Sequence, residues 1–336
     1  MHALFQAMTG YPATVDGLGA DPAWFARCLE ARTVEFRTRI VQIMVLLGLI
    51  LRPLPLQVAE RIGSFARELC VDEDMFEVAQ GFAAGSLDLA ARDFERNGYV
   101  ANLGLTDTAA LHTSTTLPSA WAWDFDDQAL AQRWRAMEDL TCEALGHRVT
   151  QFYRARGFSY PGRPGSAPPL LAQHDWVHVV ADYGTTVESE LEVFAFIARA
   201  NDDLRAFSLL AMVVSLFETG FLRRGAGLFE ASPGHLSHGG MAARVADAMR
   251  RGALCLGSID FMALDWFELA ELPVSSVRDQ FCVPPKAPEA SLAGSVGPWE
   301  PGGISPFQVR AGAALAEQEG RPYESYGATT APDSPD

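Results

Sequence analysis

The chain has 336 residues, 49% of them hydrophobic and 20% charged, with a formal net charge of −16. That length and apolar content suffice for one or two ordinary globular domains with full cores. The acidic balance argues against nucleic acid as a partner, because replacing the counterions of a polyphosphate takes Lys and Arg. It also argues against tight electrostatic attachment to anionic lipid. Lys286 is the only lysine, a bias that reads as a GC-rich, bacterial genome. Cys28, Cys70, Cys142, Cys255 and Cys282 are scattered with no CxxC. They read as reduced cytosolic thiols and supply no thiolate metal site. No basic region followed by an apolar core and a small-residue cleavage site opens the chain, so export is not expected.

In chain order, Asp21-Pro22 predicts a helix start that leads into one long helical stretch to about Ile50. The stretch ends in the longest apolar run, Ile40 to Leu51. That run is too short to span a bilayer and reads as a buried helix, with a shallow membrane contact as the other reading. Arg52 to Pro55 breaks it, and Leu56 to Leu69 resumes helical spacing. An acidic turn then opens a third helix that stops at Asn97-Gly98. Residues 1–100 thus predict an N-terminal helical bundle. Residues 101–126 read as a linker, with Trp121, Trp123 and Phe125 pinning it to a neighbouring surface. A second helical block covers 127–285, interrupted by a rigid loop from Ser159 to Pro169. From Pro284 onward fall nine of the twenty prolines, among Gly, Ser and acidic residues. Residues 286–336 are therefore expected to be a disordered tail. No repeat and no strand-like alternation is long enough to build a sheet. The expected fold class is all-α.

The stretch HDWVHVVADYGTTVESE, residues 174–190, gathers the chemistry. On a helix His174 and His178 lie one turn apart on one face, so both imidazoles reach one ion. Asp175 either ligates from the flank or orients a histidine from behind. Glu190 lies twelve residues beyond His178, about 18 Å along a straight helix, so the chain must reverse. Gly184 reads as the helix stop, and Thr185 with Glu188 reads as a capping box opening the next helix. Glu190 then folds back toward the histidines. Two imidazoles with one or two carboxylates suit a divalent metal, zinc or iron, with a position open to water or substrate. The competing reading is a His-Asp helix cap beside a solvated acidic face. His112 stands alone. His235 and His238, three apart in a Gly-rich loop, read as a surface turn rather than a second metal site. No GxSxG, P-loop or GxGxxG occurs.

The spacing His-Asp-x-x-His, eleven residues, then Glu resembles the signature of the coenzyme Q (ubiquinone) biosynthesis proteins, in particular the fourth family. His174, Asp175, His178 and Glu190 stand at the matching positions. Leu145 to Pro161 is similar to that family's Leu-Gly-His helix, and Asp265 to Pro285 to its closing segment. The resemblance covers roughly Leu140 to Pro285. It departs at Val177, where the family carries Trp, at Ser189, where it carries Gly, and at Asp182. These positions surround the ligands, so they bear on the substrate more than on the metal.

The resemblance implies an all-helical protein of quinone metabolism, cytoplasmic and peripheral at the inner face of the cell membrane. The activity it implies is oxidative decarboxylation of a prenylated hydroxybenzoate, with hydroxyl replacing the ring carboxyl. The expected partners are a prenylated phenol or isoprenoid lipid, other quinone-biosynthesis enzymes and a second copy of the chain as a homodimer. The apolar segments LEVFAFIARA and FSLLAMVVSLFETGF read as walls of a polyprenyl groove or, equally, as plain core. Three classes stay open: a metalloenzyme, a metal-stabilised lipid carrier or scaffold without turnover, and a metal-dependent hydrolase. The last lacks the further His and Asp such enzymes use.

Overall fold

The computed structural model describes residues 19–49, 56–71, 126–163, 166–167, 169–201, 210, 213–214 and 235–331. Among them are eleven α-helices and no strand, only two isolated β-bridges. The all-α expectation is met. No helix of the described residues is long and apolar enough to cross a membrane.

Asp21 caps α1 (Pro22–Cys28), its carboxylate accepting from the Trp24 amide at 2.9 Å. The long helix expected from Asp21 is divided, because the chain turns at 29–33. Thr33 then accepts from the Phe36 amide at 3.3 Å as α2 (Val34–Leu49) begins. The apolar run is a buried helix, with Val41, Val45 and Leu46 at 0–2% exposure. It packs on α3 (Leu56–Glu68), and Arg37 donates to the Leu69 carbonyl at 2.7 Å. The predicted third helix through Asn97, and the linker with Trp121, Trp123 and Phe125, lie outside the described residues.

The second block contains α4 (Gln128–Ala136), α5 (Leu145–Arg156), α6 (Pro169–Ala181), α7 (Val187–Ala200), α8 (Met241–Ala253) and α9 (Val274–Gln280). Helix α7 is its axis and buries every residue except Glu188 and Arg199. Each fully buried Leu, Ile or Phe there contributes about 1.5–3 kcal/mol by leaving water. Helix α8 comes close because Gly252 has no side chain: a Cβ there would stand 2.2 Å from the Phe196 carbonyl oxygen. One hydrophobic cluster runs from Val41 in α2 to Val277 in α9.

The tail expected to be disordered is ordered from 286 through 331. It forms α10 (Pro288–Leu292) and α11 (Pro306–Gln318). The Pro and Gly that read as disorder have local tasks. Pro288 and Pro306 sit in first helical turns, where a missing N–H costs nothing. Ser305 and Gln308 complete a reciprocal capping box. Gly312 lets α11 lie directly on α5, since a Cβ there would meet the Ala155 carbonyl oxygen at 2.3 Å. The segment is held by tertiary contact rather than by periodicity.

Candidate metal centre

The helix reversal that the site needs is present, with different residues at its joints. Helix α6 ends at Ala181, and Asp182 in the left-handed conformation (φ 65°), rather than Gly184, stops it. Arg278 caps the end of α6, donating to the Val180 and Val179 carbonyls at 2.8 and 3.1 Å. Lys286 reaches the Asp182 carboxylate at 3.3 Å. Gly184 serves close approach instead, because its Cβ would stand 2.8 Å from Gly303 Cα. The N-cap of α7 is Thr186, not Thr185, and accepts from the Ser189 amide at 3.4 Å. Thr185 faces inward and donates to Gln308 Oε1 at 2.7 Å.

The reversal brings the four motif residues together. His174 Nε2 and His178 Nε2 each lie 3.4 Å from Glu190 Oε2, and Asp175 Oδ1 lies 3.7 Å from His174 Nε2. All four residues are 0–2% exposed. Both rings turn Nδ1 to a backbone carbonyl, that of Leu171 for His174 and that of Tyr183 (3.3 Å) for His178. A carbonyl only accepts, so Nδ1 carries the proton in the neutral ring and Nε2 presents its lone pair. Two lone pairs then converge on one carboxylate oxygen at a distance longer than an ordinary N–H···O bond.

Acceptors facing one another without solvent repel, and a buried carboxylate costs several kcal/mol unless a charge compensates it. Burial pushes the Glu190 pKa up, and positive charge on the two rings, with Nε2–H donated to the carboxylate, more than reverses this and holds the carboxyl below the usual carboxylate range. Two imidazole protons or one divalent cation would remove the conflict. The spacing fits the cation: ligand atoms about 2.1 Å from one ion at the tetrahedral angle stand about 3.4 Å apart. His174, Asp175 and His178 offer ligand atoms within 4.8 Å of one another.

The surroundings fix these side chains. Tyr153 donates to Asp175 Oδ2 at 2.5 Å, tying α5 to the motif helix. Phe152 stacks on His178 at 5.4 Å and Phe194 lies 5.1 Å from His174, so aromatic rings close the site on two sides. Trp176 points away and stacks on Trp266 at 5.8 Å. Arg156, fully buried, holds the turn between α6 and α7. It donates to Thr185 Oγ1 at 2.8 Å and to the Pro298 and Gly303 carbonyls at 3.0 and 2.9 Å. The Gly184 amide donates to the Val296 carbonyl at 2.9 Å, and that of Thr185 to Gly303 at 3.1 Å. The C-terminal segment therefore clamps the turn on which Glu190 depends.

Sequence reasoning missed Tyr153, Arg156 and Gln308. Arg156 one turn from Phe152, and the Ser305-x-x-Gln308 capping-box pattern, are the local signals that bear on two of them. The reading of α7 as core holds, and Leu210, Val213 and Val214 are buried as well. The rest of the segment FSLLAMVVSLFETGF lies outside the described residues. A cavity of only about 10 Å³ remains between Leu191, Leu210, Val214 and Leu46. A larger cleft of about 330 Å³ lies on the far face of α6, walled by Trp134, Trp176, Trp266 and Phe267. His235 and His238, read as a surface turn, stand in a 3₁₀ turn with His238 49% exposed, and both also meet Glu188, at 3.0 and 3.2 Å.

The structure thus defines an all-helical protein with a buried cluster of two histidines and two carboxylates. No family model matches the chain, and no curated protein matches it. Among solved structures it is similar to one from Nostoc punctiforme PCC 73102, named "Putative ubiquinone biosynthesis protein". The identity is 16%, the match covers 74% of this chain and 97% of that one, and the TM-score is 0.33.

Proposed function

We propose that His174, Asp175, His178 and Glu190 hold one divalent first-row metal ion, zinc or iron, and that the chain acts in quinone or prenyl-phenol metabolism. The metal rests on one observation: two imidazole Nε2 atoms, each 3.4 Å from one oxygen of a fully buried carboxylate. When bound, such an ion supplies Lewis acidity toward a carboxylate or phenolate, and redox chemistry if it is iron. The chain's own residues do the rest. The Leu171 and Tyr183 carbonyls fix the tautomers, Tyr153 orients Asp175, and Phe152 and Phe194 exclude water.

The substrate class is supported by the motif's resemblance to the coenzyme Q biosynthesis family. It points to a prenylated hydroxybenzoate undergoing oxidative decarboxylation by a protein peripheral to the inner face of the membrane. A second reading, a metal-stabilised carrier or scaffold that serves other quinone-biosynthesis enzymes, is favoured by burial. All four ligand candidates are 0–2% exposed. The cleft walled by Trp134 and Trp176 is of a size that takes a small ligand.

Elemental analysis of freshly purified protein, with extraction of co-purifying lipid, tests the reading. Redox-active iron with turnover of a prenylated hydroxybenzoate supports the enzyme, and that turnover falls away in His178→Ala. Tightly held zinc with bound isoprenoid lipid and no turnover supports the carrier. A chain that takes up neither metal overturns both.

A further inference from the structure

The first turn of α7 carries a second acidic residue, Glu188, two positions before Glu190. Two residues on a helix are about 200° apart, so the carboxylates leave on nearly opposite sides. Glu190 enters the core between His174 and His178. Glu188 faces the turn that precedes α8, where His235 and His238 stand. The 235–237 segment is a 3₁₀ turn closed by the His238 amide on the His235 carbonyl at 3.1 Å. In a 3₁₀ turn residues three apart eclipse, so both imidazoles fall on one side. Their centroids are 5.1 Å apart, and their Nδ1 atoms lie 3.0 and 3.2 Å from the same Glu188 oxygen.

We infer that Glu188, His235 and His238 form a second, exchangeable site for a divalent first-row metal. The three ligand atoms lie within 4.8 Å of one another. Ligands about 2.1 Å from one ion and this far apart subtend about 90–100° at it, an angle that first-row ions accept with water completing the shell. Exposure differs across the triad: the side chain of His235 is 10% exposed, that of Glu188 21% and that of His238 49%. One face is anchored and the other is open to water. The neighbouring charges leave room for a cation. Arg244 is bound to Glu192 at 2.7 Å, one turn along α7 from Glu188. Both imidazoles then carry the remaining proton on Nε2 and ligate through Nδ1. The site is independent of the buried cluster, which uses Nε2 atoms and excludes water.

The test is zinc stoichiometry of the full chain after equilibrium dialysis, read by elemental analysis. It is repeated with His238→Ala and Glu188→Gln, each checked by circular dichroism. His238 is half exposed, so its replacement leaves the fold intact. Wild type should hold one equivalent more than either variant. That equivalent should exchange with cobalt(II) and give a visible absorption band that both variants lose. Equal stoichiometry in wild type and His238→Ala would overturn the inference and leave two imidazole–carboxylate hydrogen bonds. Loss of the tight equivalent in His178→Ala with the exchangeable one retained supports this site separately. The converse pattern, with only the tight equivalent present, sinks this site and spares the buried one.

Discussion

Two clusters that each set two histidines around a glutamate sit on opposite sides of one helical turn; the buried one adds Asp175, and their surroundings differ. Around Glu190 the rings point Nε2 inward, each Nδ1 is held by a carbonyl, and the side chains are 0–2% exposed. Around Glu188 the rings point Nδ1 inward and one of them is 49% exposed. The buried cluster is held by three other parts of the chain: α5 through Tyr153, the closing segment through Arg278, and residues 296–303 through Arg156. The exposed one is held by a single short turn. Both thus share the imidazole–glutamate core, whereas the second carboxylate and the preorganisation belong to the buried cluster alone, and preorganisation sets how tightly a cation is held.

The largest expected effect breaks the buried cluster directly. His178→Ala should lower zinc affinity of the tight site by more than about 100-fold, beyond what loss of an outer-shell partner costs. Isothermal titration with a competing chelator measures it. Next is Arg156→Met, which takes the buried guanidinium from the Pro298 carbonyl and Thr185 Oγ1 and leaves the Gly303 carbonyl with Thr185 alone. Loss of about 3–5 kcal/mol of stability is expected in urea denaturation, with weaker metal retention, because the turn carrying Glu190 is no longer clamped. Gly184→Ala is milder. Its Cβ meets Gly303 Cα at 2.8 Å, so about 1–3 kcal/mol of overpacking strain is expected. The exposed cluster should show none of this: His238→Ala should change stability by less than about 0.5 kcal/mol.

Much of this contrast was legible in the sequence, and the missing part has one cause. The i,i+4 spacing of His174 and His178 and the Gly-Thr-Thr reversal locate the buried cluster, because local geometry alone puts these residues on one face and turns the chain back. The cap fell one residue late, at Thr186, because Thr185 is taken by Gln308, more than a hundred residues away. The same long-range contact explains the tail. Glycines 303 and 312 read as flexibility from the sequence, yet each is a place where two backbones touch. Periodicity reports which face is apolar; it does not report what a glycine lies against. The Glu188 cluster was hidden for the same reason, since its ligands stand 47 and 50 residues apart.

The contrast between burial and exposure extends to the thiols, with a smaller effect. Cys255 is buried and the other four cysteines are exposed. Burial pushes the Cys255 thiol from 9.0 up to about 11. A folded pKa above the unfolded one means that its stabilising contribution is complete below about pH 9. It is lost as pH rises through about 11, because the unfolded chain releases that proton first. Alkylation at pH 8.5 followed by peptide mass analysis should label Cys28, Cys70, Cys142 and Cys282 well before Cys255. Equal labelling would show that the end of α8 opens readily.

The central claim, that the reversal between α6 and α7 builds a metal centre, is tested most directly by the metal content of freshly purified protein. Wild type, Glu190→Gln and His178→Ala would be compared after dialysis against a mild chelator. Wild type should hold about one equivalent of zinc or iron. Glu190→Gln should hold less and His178→Ala none, with helical circular dichroism preserved in all three. A wild-type chain that retains no divalent metal and takes none up, or a His178→Ala chain that retains as much as wild type, would contradict it.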